Sequence, residues 1–98
     1  MRHVRFDLAT VVIEGVPVLL KAAYLLVVEA DDGPHPHWEV LAYALDTAPI
    51  DKGRYRVALT TLDGRDLTGD AVLVRSVEGA HVLRGDGPLE GVEDHELA

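Results

Sequence analysis

The chain contains no cysteine, a single tryptophan and a single phenylalanine, and few basic residues. Without cysteine it forms neither disulfides nor thiolate metal sites, and thiol catalysis is excluded. Its 17 acidic residues outnumber its 9 lysines and arginines, which leaves a formal net charge of −8. Such a charge opposes non-specific binding to nucleic acid, which depends on neutralising phosphates. We therefore expect no nucleic-acid partner.

Long uninterrupted apolar runs are absent as well. The longest, residues 16–28, contains Pro17 and Lys21 and is too short to cross a bilayer as a helix. No basic segment precedes an apolar one near the N-terminus, as it would in a secretory signal. We expect a soluble, cytoplasmic protein with no membrane partner.

The chain does contain enough apolar material for a core, since 48% of its 98 residues are hydrophobic. That length is typical of one domain. No lysine or arginine follows Arg84, whereas glycine and acidic residues are frequent there. We therefore predict a single antiparallel β-domain over residues 1–85 and an acidic C-terminal tail without regular structure over 86–98.

The clearest structural signal is the dipeptide Glu-Gly at 78–79, which separates two β-prone runs. A two-residue loop with glycine second is typical of a hairpin, because glycine adopts the positive φ that the turn requires. The predicted register places Val77 opposite Ala80 and Val74 opposite Leu83. Since side chains alternate along a strand, Val74 and Leu83 are predicted to face the core.

A second hairpin signal is Asp-Gly at 63–64. A two-residue loop there would place Asp70 opposite Val57, a residue predicted to lie in the core. A charge in that position is costly unless it is paired. We therefore expect a bulge at Gly69 or a longer loop, either of which shifts one strand.

Apolar and polar residues alternate in three further segments, 3–8, 38–45 and 55–61, which predicts half-buried strands. Residues 16–30 are ambiguous, because alanine and leucine favour a helix while Val27 and Val28 favour a strand. A helix there would lack a polar face. We predict an all-β fold, a small antiparallel barrel or sandwich of five to six strands. The alternative is an α+β fold with Val16–Ala30 helical.

No catalytic or cofactor motif is present, so the leading functional hypothesis is structural. Residues 11–13 and 16–28 are apolar on both faces of their strands, and a short chain has little with which to cover a second face. We expect a non-enzymatic module that associates with itself or with another protein. The predicted interface consists of the outward residues of the second segment: Leu19, Ala23, Leu25 and Val27.

The alternative hypothesis is a barrel that binds a small apolar ligand. Such pockets combine apolar and aromatic side chains with a few polar groups. The residues predicted to line it are Phe6, Leu20, Tyr24, Trp38, Tyr55, Ser76 and His81.

A weaker hypothesis is a small enzyme. His81 beside Ser76 could form a base and nucleophile pair. His35 and His37 lie on one side of an extended segment, a spacing that suits two ligands of zinc or nickel. The third ligand would come from one of four residues: Asp31, Asp32, His3 or His81. Zinc is therefore the one cofactor that the sequence suggests.

Overall fold

The computed structural model describes residues 3–29 and 35–91. Within them it contains seven strands and no helix. They are β1 (His3–Ile13), β2 (Val16–Pro17), β3 (Leu20–Val28), β4 (His37–Ala44), β5 (Gly53–Thr61), β6 (Asp66–Val77) and β7 (Ala80–Glu90). The predicted all-β fold is confirmed. The alternative helix over Val16–Ala30 is wrong, because β3 occupies most of that segment, and Ala30 lies outside the described residues.

Six of the strands close into an antiparallel barrel in the order β1-β3-β4-β7-β6-β5, with β5 pairing back onto β1. The short β2 adds a seventh strand at the end of β1. β1 serves two neighbours, because its first half pairs with β3 and its second half with β5. An extra residue, Ala9, lies near the start of the second half and lets the strand bend there.

The barrel interior is filled by side chains. A barrel of about eight strands is just wide enough for side chains to fill, so one of six leaves less room. Aliphatic residues from all six barrel strands interdigitate inside, and most are almost fully buried. The largest of these are Val11, Leu25, Val27, Val40, Val57, Leu59, Leu67, Leu73 and Leu83. Burying this apolar surface is the main stabilising contribution to the fold.

The hairpin between β6 and β7 confirms the predicted turn and corrects the predicted register. Glu78 and Gly79 both have positive φ, 49° and 86°, as a primed turn requires. The three predicted pairs nearest the turn are present, but β6 then carries an extra residue at Val74. Leu73 therefore lies opposite Leu83, and Leu73 rather than Val74 faces the core.

The hairpin between β5 and β6 has the longer loop. Thr60 lies opposite Asp66, which shifts the register by one residue from that of a two-residue loop. Val57 consequently faces Gly69, and Asp70 lies opposite Arg56 on the outer surface. The predicted clash of Asp70 with the core is thus avoided.

Strand β7 continues further than its composition predicts. It runs to Glu90, so the expectation that residues beyond Gly85 lack regular structure is wrong for this stretch. Gly87, with a φ of 119°, interrupts its regularity without ending it. Residues 92–98 of the predicted acidic tail lie outside the described residues.

Candidate functional site

Strand β3 faces the opposite way from the sequence prediction. Ala23, Leu25 and Val27, predicted to form an interface, are buried in the core, so that part of the prediction is wrong. Of the predicted interface only Leu19 is exposed, with 72% of its surface accessible. The cause is one extra residue in β3 at Lys21, since a one-residue shift moves every following side chain to the other face.

The outward side of β3 and β4 is instead an apolar surface. Tyr24 lies opposite Leu41 and Ala22 opposite Tyr43, so apolar side chains line up in rows across the two strands. Leucines just outside the strands extend the rows at one end. We call this surface the apolar face; its members are Leu19, Ala22, Tyr24, Leu26, Leu41, Tyr43 and Leu45.

An open hollow of about 570 Å³ lies on the apolar face. Tyr24 and Tyr43 meet edge to face, with their ring centroids 6.4 Å apart. The guanidinium of Arg5 stacks over the Tyr24 ring at 4.3 Å, and Glu39 supplies a carboxylate at the rim. The lining residues are Arg5, Tyr24, Leu25, Leu26, Glu39, Leu41 and Tyr43. The hollow offers an apolar floor with one charge of each sign at its edge.

Trp38, the second residue of β4, borders a smaller hollow of about 280 Å³. Its indole is buried, and Nε1 donates a hydrogen bond of 3.0 Å to the carbonyl of Gly87. Two glycines leave the space that the indole occupies. A Cβ at Gly69 would lie 2.8 Å from the ring, and one at Gly85 would overlap it. Trp38 is therefore mainly a core residue.

The outer surface of β5, β6 and the end of β7 has a contrasting character. Arg54 lies 3.4 Å from Asp70 and 3.1 Å from Asp86, and Arg56 lies 3.5 Å from both Asp70 and Glu90. Exposed pairs of this kind contribute little to stability, but they match opposite charges across the strands. The barrel thus has one charged side and one apolar side.

His81 and Ser76 do meet, as the sequence predicts, with 2.9 Å between Nδ1 and Oγ. Only 2% of His81 is exposed, and its burial lowers the pKa of the imidazole. The Ser76 hydroxyl also accepts a 2.9 Å hydrogen bond from the backbone N–H of Ile50. The pair therefore fastens the 45–52 connection to the barrel. Among the described residues, no carboxylate is hydrogen-bonded to the histidine.

The predicted ligand pocket does not assemble as a single site. Trp38 and His81 are buried towards opposite ends of the barrel, whereas Tyr24 lies outside on the apolar face. The remaining aromatic and aliphatic members are partly buried and pack against the core: Phe6, Leu20 and Tyr55.

His35 and His37 are both exposed. His3 of β1 and His37 of β4 both lie opposite Val28 of β3, the strand between them. In residues 3–29 and 35–91, no group of three or more histidine, aspartate or glutamate side chains is arranged to hold a metal. Asp31 and Asp32 lie outside that range, so zinc binding by His35 and His37 stays a prediction.

Leu26, Leu41 and Tyr43 are candidate site residues that the sequence pattern did not predict. The signal was present in β4, where Leu41 and Tyr43 alternate with the buried Trp38 and Val40. An outward strand face in a small domain is usually polar, and this one carries a leucine and a tyrosine. For Leu26 the signal was hidden by the extra residue at Lys21.

The fold and the apolar face define a six-stranded closed antiparallel barrel with an exposed apolar side. Comparison with known proteins finds no family model, no curated protein and no solved structure that matches the chain. Within the part of the chain that the structure describes, no helix has the length and apolarity needed to cross a membrane.

Proposed function

We propose that the protein is a non-enzymatic β-domain of the cytoplasm that works by association, and that a second copy of the chain covers its apolar face. The observation that carries this proposal is the apolar face itself, on the outside of a barrel whose interior is already filled. Contiguous apolar patches on a folded surface mark interaction sites. Tyrosine, present twice here, is enriched at such interfaces.

Charge favours a second copy as the occupant. The two charged residues that line the hollow are each in an ion pair of 3.4 Å, Arg5 with Asp7 and Glu39 with Arg84. These four side chains are the charges nearest to the hollow that the ion pairs include. They sum to zero, whereas the whole chain carries −8. Two copies that meet on this face therefore bring together side chains that carry no net charge.

The test compares two leucine-to-aspartate variants by sedimentation velocity over a range of micromolar concentrations. Leu26→Asp places a charge in the apolar face, at a leucine that is 43% exposed. Leu62→Asp makes the same change at a 69% exposed leucine in the β5–β6 loop. We expect dimers for wild type and for Leu62→Asp, and monomers for Leu26→Asp. Monomeric wild type, or a Leu26→Asp variant that dimerises normally, would contradict the proposal.

A second candidate function is binding of a small apolar ligand, for which the hollow is the favouring observation. Its volume of about 570 Å³ falls within the range of small-molecule sites, roughly 300–1,000 Å³. Native mass spectrometry of the untagged protein separates the two functions. A monomer with added organic mass supports the ligand, and an unmodified multiple of the chain mass supports self-association. The enzyme hypotheses, based on His81 or on a metal at His35 and His37, have no comparable observation in their favour.

A further inference from the structure

We infer that the two exposed leucines at one end of the apolar face, Leu19 and Leu45, insert into the hollow of a second copy, and that the second copy does the same in return. The inference rests on the proposed self-association and specifies its geometry. It also retains Leu19 as the one member of the predicted interface that reaches the surface.

The leucine pair is a fixed projection. The backbone N–H of Leu45 donates a 2.9 Å hydrogen bond to the carbonyl of Leu19, which holds the two residues side by side. Their side chains are 72% and 59% exposed. Because the backbone is already ordered, burying them in a partner costs little conformational entropy beyond that of the side chains.

The hollow offers what this projection requires. Leu41, Tyr24 and Tyr43 give it an apolar floor, and it is open to solvent. A small molecule in a hollow so open would keep much of its surface in water, whereas sites for such ligands usually bury most of it. An opposing protein surface would cover the hollow and its rim together.

Leu20 and Ala44 pair with each other and face inward, so Leu19 and Leu45 beside them lie on the outer side of β3 and β4, where the hollow is. Leu45 lies four residues beyond Leu41, which is roughly 13 Å along an extended strand. Consider a two-fold axis that is perpendicular to the strands and lies midway between the leucine pair and the hollow. It brings the leucine pair of each copy over the hollow of the other copy. The interface is then isologous, with two equal contacts, as in most homodimers.

The test is a complementation experiment with two variants. The first, Leu19→Asp combined with Leu45→Asp, lacks the leucine pair but keeps the hollow. The second, Leu26→Asp, alters the hollow but keeps the pair. Neither self-associates if each contact requires both parts. Mixed one to one, with one variant fluorescently labelled, they can form one complete contact. We expect the mixture to show a dissociation constant at least about tenfold below that of either variant alone, a difference of roughly 1.4 kcal/mol.

The outcomes separate the inference from the proposed function. If the double aspartate variant dimerises as wild type does while Leu26→Asp is monomeric, the inference is overturned and self-association through the apolar face stands. A mixture that stays as dissociated as its components also overturns it. If wild type is monomeric, both fail. Circular dichroism melts of both variants confirm folding, and Leu19→Ala with Leu45→Ala provides a milder version that must also weaken the dimer.

Discussion

Single residues fix the ends of this barrel, and His81 shows how a buried polar group does so. Its imidazole is hydrogen-bonded to Ser76, and the Ser76 hydroxyl accepts a hydrogen bond from the backbone N–H of Ile50. These two bonds link the connection between β4 and β5 to strands β6 and β7. Such networks stabilise a unique arrangement when every member is satisfied. The same burial makes His81 intolerant of a positive charge.

The stability of the protein should therefore depend on pH through His81. Burial lowers the pKa of His81 in the folded state, so the unfolded chain binds the proton more tightly. We expect the free energy of unfolding to fall as pH drops below about 6.5, the ordinary pKa of histidine. Once the pH is below the lowered pKa of folded His81, both states bind the proton and this group causes no further loss. Urea unfolding at pH 7.5 and 5.5 measures the loss. His81→Leu should reduce it, whereas His37→Gln, at an exposed position, should not. An unchanged loss in His81→Leu would contradict this assignment.

Gly85 provides a second prediction at the scale of one residue. A methyl group there would overlap the Trp38 indole, which is held by its bond to Gly87. Overpacking of this kind costs roughly 1–3 kcal/mol, so Gly85→Ala should lower the free energy of unfolding by about that amount. Gly53→Ala is the matched control, because its Cβ would meet only Tyr55, at 3.8 Å. Equal stability of the two variants in urea titration would show that Trp38 moves aside without cost.

At the scale of strands, the sequence predicts which residues pair near turns better than it predicts which face is buried. The alternation in β4 and β5 correctly placed Trp38 and Val57 inside the barrel, because neither prediction had to cross an extra residue. The Glu78-Gly79 turn was likewise recognisable from two residues.

Extra residues explain why the buried sides of β3 and β6 were predicted wrongly. Lys21 in β3 and Val74 in β6 each add one residue to a strand, and both reverse the inward and outward sides of part of that strand. Nothing in the local sequence marks either position, since neither is a glycine and both lie within β-prone runs. Their positions are set by closure of the barrel, which requires strands to bend, and this is a property of the whole sheet. The extra residue at Lys21 is therefore why most of the predicted interface residues lie on the buried side of β3.

At the scale of the molecule, the barrel is amphipathic around its circumference. The side formed by β5, β6 and the end of β7 presents ion pairs, and the side formed by β3 and β4 presents the apolar face. Closing a sheet normally removes the need for a partner, since no edge is left to pair. Here the interior is filled and the exterior of one side is apolar, so the self-association that we propose would arise from this surface and not from incomplete folding.

This arrangement predicts how salt affects self-association. The proposed contact on the apolar face is apolar with balanced charges, whereas each copy as a whole carries a net charge of −8. At about 0.01 M salt charges act over roughly 30 Å, so the two copies repel each other, and at about 0.1 M this range falls to roughly 10 Å. We therefore expect the dimer dissociation constant to fall as sodium chloride rises between these concentrations, measured by sedimentation equilibrium. An association held by ion pairs between copies would respond in the opposite direction, because salt screens attraction as well as repulsion. A dissociation constant that rises with salt would therefore indicate that the interface lies on the charged side of the barrel and not on the apolar face.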